Sequence, residues 1–156
     1  MKAKRVEESK TIMTQLVMPN DTNHMGNLMG GNLLSWMDMA SAICAGKHAE
    51  KSVVTASVDQ VSFQKAIHLG EVVTIKATAT RAFNTSLEIF VEVFAASITG
   101  TNPRKCNQAY FTFVALDENG HPAKIPPVTP LSEIEQKRFD EAPKRKSQRL
   151  QISGKI

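Results

Sequence analysis

"NHMGNLMGGNLLSWMDMASAICAG", Asn23 to Gly46, is mostly apolar, yet it carries a carboxylate, Asp38, in its middle behind a run of Gly and Asn. The second half predicts a helix from near Asn32 to Gly46, with Gly as the stop residue and Lys47 and His48 suited to the negative helix end. Leu33, Leu34, Trp36, Met37, Met39, Ala40, Ala42 and Ile43 spread around most of that cylinder. A helix apolar all round must be covered all round. The other polar positions, Asn32, Ser35 and Ser41, make no stripe with Asp38, so a solvated face does not explain the acid. An ionised carboxylate in an apolar site is costly unless paired or hydrogen-bonded. Two readings stay open: an Asp bonded to backbone N–H groups at a subunit interface, or a general base or nucleophile in a partly desolvated cleft, where burial raises basicity.

Outside this stretch the period changes to two. "TIMTQLV" (11–17) reads as a short strand, and "MPNDTNHMGN" as a polar loop rich in turn formers. "SVVTASVDQVSF", "EVVTIKATATR", "SLEIFVEVFAA" and "AYFTFVALD" alternate β-branched and aromatic residues with polar ones, a strand signal. "ITGTNPRKCNQ" reads as a long hairpin connection, "DENGHPAKIPPVTP" as a loop, and a short helix is expected from near Thr129 and Pro130. Consecutive strands with no helices between them require a mainly antiparallel sheet. The class is α+β, with one long sheet curling around one central helix. Residues 1–128 form the main domain, and residues 129–156 a C-terminal helix and basic tail.

The chain has 156 residues and a net charge of +4. The charge is unevenly placed. Residues 1–10 carry four Lys/Arg against two acids, residues 137–156 seven against two, and residues 11–136 eight against eleven, a net of −3. Tail charge such as "KRKSQR" can grip nucleic acid, but no RNP-type aromatic motif or zinc-finger spacing supports that, and a solvated tail is the reading preferred. No apolar run approaches a bilayer span, and no signal-peptide pattern opens the chain, so a cytoplasmic protein without membrane contact is expected. Cys44 and Cys106 lack metal spacing and read as free thiols. The four histidines show no ligand spacing either, and no metal is expected. His24, beside Asn23, reads as a surface residue within reach of a substrate. "SFQK" (62–65) matches a serine-nucleophile motif only by chance, since it lies in strand-like sequence.

The residues ahead of the helix suit chemistry on a carbonyl. Gly26, Gly30 and Gly31 let backbone approach a ligand closely. The first N–H groups of a helix lack intrahelical partners and can donate to a developing oxyanion. Asn23 and Asn27 taken alone are ordinary turn residues. Met13, Met18, Met25, Met29, Met37 and Met39 are expected to line core and an apolar tunnel.

"MPNDTNHMGNLMGGNLLSWMDMAS" closely resembles the hotdog-fold acyl-CoA thioesterases, in particular the group of bacterial broad-range and brain-type acyl-CoA hydrolases. The resemblance continues through "VVTASVDQVSFQKAIHLGEVV", "RAFNTSLEIFVEV" and "AYFTFVALDENGHP", covering roughly residues 10 to 128. It implies a five- or six-stranded antiparallel sheet around a central helix, with subunits paired as dimers and often as trimers of dimers. It implies hydrolysis of acyl-CoA to fatty acid and CoA, with no cofactor beyond the CoA of the substrate. Asn23 and Asp38 match the family's catalytic Asn and Asp, contributed by opposite subunits, and the Gly31 N–H would polarise the thioester carbonyl. The turn "TRAFNTS" would meet CoA through Arg81, Asn84, Thr85 and Ser86, with Lys65, Arg104 and Lys105 as further phosphate candidates. Other thioesters, such as those of acyl-carrier protein or hydroxybenzoyl- and phenylacetyl-CoA, fit the same chemistry. A non-catalytic module sensing acyl-CoA or a nucleotide is the alternative from another class.

Overall fold

The structure is a computed structural model that describes residues 1–154; Lys155 and Ile156, the end of the basic tail, lie outside the described residues. The chain runs β1 (Lys4–Arg5), α1 (Val6–Ser9), β2 (Thr11–Leu16), α2 (Gly30–Ala49), β3 (Ser52–Phe63), β4 (Val72–Ala82), β5 (Ser86–Ala96), β6 (Arg104–Leu116), β7 (Val128–Thr129) and α3 (Glu133–Ile152). The main sheet has five strands in the order β2-β4-β5-β6-β3, all antiparallel. It curls around α2, as the alternation and the all-round apolar helix require. β1 and β7 form a small parallel pair that the sequence does not announce.

The core lies between α2 and the inward face of the sheet. Met37, Ala40, Cys44 and Ala45 of α2 meet Val73, Ile75 and Ala77 of β4, Leu87, Ile89, Val91 and Val93 of β5, and Phe111 and Phe113 of β6. Each larger side chain removed from water here contributes about 1.5–3 kcal/mol. The free thiols Cys44 and Cys106 are part of this packing. Burial pushes the Cys44 thiol up to about 11, which makes it inert.

Three boundaries differ from the sequence reading. α2 starts at Gly30 and runs past Gly46 to Ala49, where Glu50 (φ 53°) takes the left-handed position expected of Gly46. Two contacts hold the extra turn: Lys4 Nζ donates to the Lys47 carbonyl at 3.1 Å, and the buried His48 donates through Nε2 to the Pro126 carbonyl at 2.7 Å. The hairpin connection before β6 is shorter than expected, because the strand begins at Arg104. The C-terminal helix is 20 residues long. It starts at Glu133 rather than near Thr129, where Ser132 accepts from the Glu135 N–H and Glu135 reaches back in a capping box.

α3 also changes the reading of the tail. Its basic side chains are laid on the outer face of the sheet. Arg138 approaches Glu92 at 3.9 Å, Arg145 grips Glu88 at 2.7 Å, and Arg149 reaches Asp59 at 3.3 Å and Glu88 at 3.5 Å. The acidic excess of the middle of the chain meets its counter-charge there.

Candidate active site

α2 is not covered all round within one chain. The sheet closes over Leu33, Trp36, Met37, Ala40, Cys44 and Ala45, but Ser35, Met39 and Ile43 stay exposed on the opposite side, Met39 at 45% and Ile43 at 48%. Asp38 sits at the border of this open stripe and is half-buried rather than enclosed. Its Oδ1 accepts from the Thr55 hydroxyl at 2.7 Å. Among the described residues it joins no ion pair. One carboxylate oxygen is thus oriented, and the other accepts no hydrogen bond among the described residues.

Thr55 was not singled out from sequence, because one polar residue in an alternating strand says nothing about what it faces. β3 is an edge strand, and its register against β6 shifts at Thr55/Ser57. Edge irregularities of this kind re-aim side chains.

Asn23 lies in the loop between β2 and α2. Its Oδ1 accepts from the N–H groups of Met25 (2.9 Å) and Asn27 (3.2 Å), and its backbone N–H donates to the Asn27 carbonyl at 2.8 Å. Gly26 supplies the positive φ of 77° that the turn needs. The amide oxygen is locked, so the Asn23 NH₂ faces outward as a fixed donor with no partner among the described residues. The loop is seated in turn on the segment after β3. Leu28 N–H donates to the Ile67 carbonyl, Leu69 N–H to the Gly26 carbonyl, and the His68 ring meets Asn27 Oδ1 at 2.8 Å. Arg104 fixes that segment by gripping Glu71 at 2.6 Å and donating to the Ala66 carbonyl. This pairing pulls the Glu71 carboxyl down to about 2. Arg104 is therefore committed to a loop and not free for a phosphate. Lys105 is likewise taken, by Glu92 and Gln108.

A groove of about 320 Å³ opens where this loop meets the helix start, lined among others by Asn23, Asn27, Gly30, Phe63 and Lys65. A Cβ added at Gly31 would meet nothing within 4 Å, and one at Gly30 would reach only ordinary contact with the Phe63 ring at 3.5 Å. Neither glycine has a positive φ. Among the described residues nothing demands glycine at either position. Lys65 is exposed in this groove, with no ion-pair or hydrogen-bond partner among the described residues.

The other predicted contacts are dispersed. Arg81 stacks on the Phe139 ring at 4.0 Å and donates to the Phe139 carbonyl, so it serves α3 rather than offering a free cation. Asn84 is exposed, and Thr85 and Ser86 are half-buried at the β4–β5 turn, away from the Asn23 loop. His24 is exposed. Of the methionines, Met37 is core, while Met18, Met25, Met29 and Met39 are exposed and do not line a closed tunnel within one chain. Among the described residues no cluster of His, Cys, Asp or Glu is arranged to hold a metal. No described helix is long and apolar enough to cross a membrane.

Residues 25–101 match the thioesterase superfamily. The uncharacterized acyl-CoA thioester hydrolase YkhA of Bacillus subtilis is 37% identical over 83% of this chain and 75% of its own length. The chain belongs to the acyl-CoA thioesterase family. Among thioesterases of this family, the mouse acyl-coenzyme A thioesterase 11 is 39% identical over 92% of this chain, which spans only 24% of that longer protein. A hexameric acyl-CoA thioesterase superposes with a TM-score of 0.94 at 36% identity, covering 98% of each chain. The acyl-CoA hydrolase of Staphylococcus aureus, solved with butyryl-CoA and CoA, superposes at 0.89 with 35% identity over 97% of this chain and 95% of its own. Alanine variants of that hydrolase have been solved at an Asn, an Asp and a Thr that stand 15 and 17 positions apart. Asn23, Asp38 and Thr55 stand in the same residue order and at the same spacing.

Proposed function

We propose that this thioesterase hydrolyses acyl-CoA to a carboxylic acid and CoA at a site shared between two subunits. The observation that carries the reading is the pair formed by Asp38, a carboxylate oriented by a single hydroxyl and otherwise open, and Asn23, an amide donor held outward by its own loop. Gly30 and Asp38 stand eight positions apart on α2, about 12 Å along its axis. Asn23 lines the groove at the Gly30 end, and Asp38 is not part of that groove. The two serve one thioester when a second copy lies across the open stripe of α2. Met39, Ile43 and the edge-strand residue Val54, 47% exposed, give that face an apolar surface worth covering. β3, unpaired along one side, supplies an edge for pairing with its symmetry mate. Trimers of such dimers fit the hexameric relatives.

In this arrangement the free N–H groups at the start of the partner's α2, beside the partner's Asn23 and with the partner's Gly31 among them, polarise the thioester carbonyl, helped by the positive end of the helix. Asn23 of the partner subunit orients the thioester or the water. Asp38 takes the proton of that water, or attacks the carbonyl itself and is then freed by water. The CoA thiolate leaves and collects the proton. The Asn84–Ser86 turn and Lys65 contact the polar parts of CoA. Free buried thiols fit a reducing cytoplasm.

The test is thiol release from short, medium and long acyl-CoAs by purified protein. No release from any of them would leave a binding module in place of an enzyme. Label found in the Asp38 carboxylate after a single turnover in ¹⁸O-water identifies a nucleophile, since a base never bonds to the water oxygen, and rapid-quench trapping of an acyl–Asp38 anhydride with hydroxylamine reads the same route when water opens the anhydride at the acyl carbon.

A further inference from the structure

Beneath the last turns of α3 a pocket of about 220 Å³ lies against the outer face of the sheet. Ser57 of β3, Ser86 of β5 and Thr112 of β6 line it from below, and Lys146 and Arg149 from α3 above. Ser57 and Thr112 stand directly opposite each other on neighbouring strands. Their hydroxyls are buried, and among the described residues neither has a hydrogen-bond partner. Thr112 is 6% exposed. Buried hydroxyls are normally satisfied, and a valine of the same shape fits a sheet better than a threonine with nothing to bond.

The charges around the pocket are asymmetric. Glu88 is consumed by Arg145, Arg149 and the Thr80 hydroxyl, and Arg149 is also tied to Asp59. Lys146 has no acidic partner among the described residues; its ammonium lies 4.2 Å over the Phe83 ring. A cation without a counter-charge thus stands beside hydroxyl donors without acceptors. Both deficits are met by one tetrahedral oxyanion, which accepts from several hydroxyls and balances a lysine. The pocket is smaller than the roughly 300 Å³ from which sites for whole small molecules begin, so it suits one group of a larger ligand.

We infer that Ser57, Ser86, Thr112 and Lys146 form a phosphate-binding pocket that α3 completes. The group is a phosphomonoester, carried either by the CoA of the substrate or by a free nucleotide. The first source rests on the proposed hydrolysis of acyl-CoA and the second does not. α3 is then part of a ligand site and not only a brace on the sheet.

Calorimetric titration with adenosine 3′,5′-bisphosphate, using adenosine as control, tests the pocket without requiring turnover, so a failure of hydrolysis leaves this result readable. The bisphosphate should bind the wild type and adenosine should not. Lys146→Ala should weaken binding roughly tenfold. Thr112→Val should weaken it about three- to tenfold while the melting temperature stays equal or rises, since an unpartnered hydroxyl is removed. KM values for butyryl-CoA and its 3′-dephospho form identify the source. If the substrate supplies the phosphate, KM differs between the two in wild type and the difference vanishes in Lys146→Ala. If a free nucleotide does, the two KM values agree and the bisphosphate still binds protein saturated with CoA. A more stable Thr112→Val together with a Lys146→Ala that binds every phosphate compound as the wild type does, or no binding at all, would overturn the pocket.

Discussion

Two carboxylates on opposite faces of the molecule contrast a structural acid with the one we propose as reactive. Glu88 on β5 is fully buried, yet Arg145 grips it at 2.7 Å, Arg149 lies 3.5 Å away and the Thr80 hydroxyl donates at 2.6 Å. Asp38 on α2 is half-buried, with one hydroxyl donor and no cation among the described residues. Burial by itself therefore does not mark the acid we propose as functional. Occupancy of its lone pairs does: Glu88 has nothing left to offer a substrate, and Asp38 keeps one oxygen open on a face that the chain's own sheet leaves uncovered.

The comparison breaks most visibly in kinetics. Asp38→Asn keeps the shape and can still accept from Thr55, so folding should survive while kcat falls by about 10²–10⁴, the usual worth of a positioned base. Glu88→Gln should do the reverse. It strands Arg145 beneath α3, so stability should drop by about 3 kcal/mol, a melting shift of roughly 6–12 °C, with kcat per folded molecule near wild type. A Glu88→Gln protein that melts normally, or that loses activity while folded, would erase the distinction.

Smaller changes sharpen it. Thr55→Val removes the one donor that orients Asp38, and kcat should fall about tenfold with KM little changed. Equal losses in kcat from Thr55→Val and Thr80→Val would show that the Thr55 bond is nothing special. The smallest effect concerns the loop that seats Asn23. Arg104 holds the Glu71 carboxyl at about 2, well below its ordinary range. A lowered folded value contributes stability above the ordinary carboxylate range and loses it as pH falls toward the folded value. After solvent screening, about 1–2 kcal/mol should therefore disappear between pH 5 and 2, and Glu71→Gln should lack that part of the acid limb. Identical acid unfolding curves would remove this pair from the account.

Much of this was legible in the sequence because it is local. The period-two alternation marks β3 and β4 nearly to the residue, and the apolar helix behind a Gly-Gly step marks α2 and the odd position of Asp38. What was not legible depends on residues far apart in the chain. Thr55 meets Asp38 across 17 positions, Arg145 meets Glu88 across 57 and Arg149 meets Asp59 across 90. In the sequence those arginines look like a solvated tail, and Arg81 looks like a phosphate contact until Phe139, 58 positions on, is found stacked on it. The uncovered stripe at Met39 and Ile43 was hidden for a different reason: apolar content says that a surface must be covered, not whether the cover comes from the same chain.

The central claim is that Asp38 works with Asn23 of the partner subunit. Asp38→Asn and Asn23→Ala should each be nearly inactive alone. An equal mixture of the two, unfolded and refolded together, tests the sharing directly. Random pairing makes about half of the dimers hybrids, and each hybrid holds one site with both residues replaced and one with both intact. About a quarter of wild-type activity per site should return, with subunit exchange verified by mass-tagged chains. Activity that stays at the level of the separate variants despite verified exchange would contradict the shared site and place both residues within one chain.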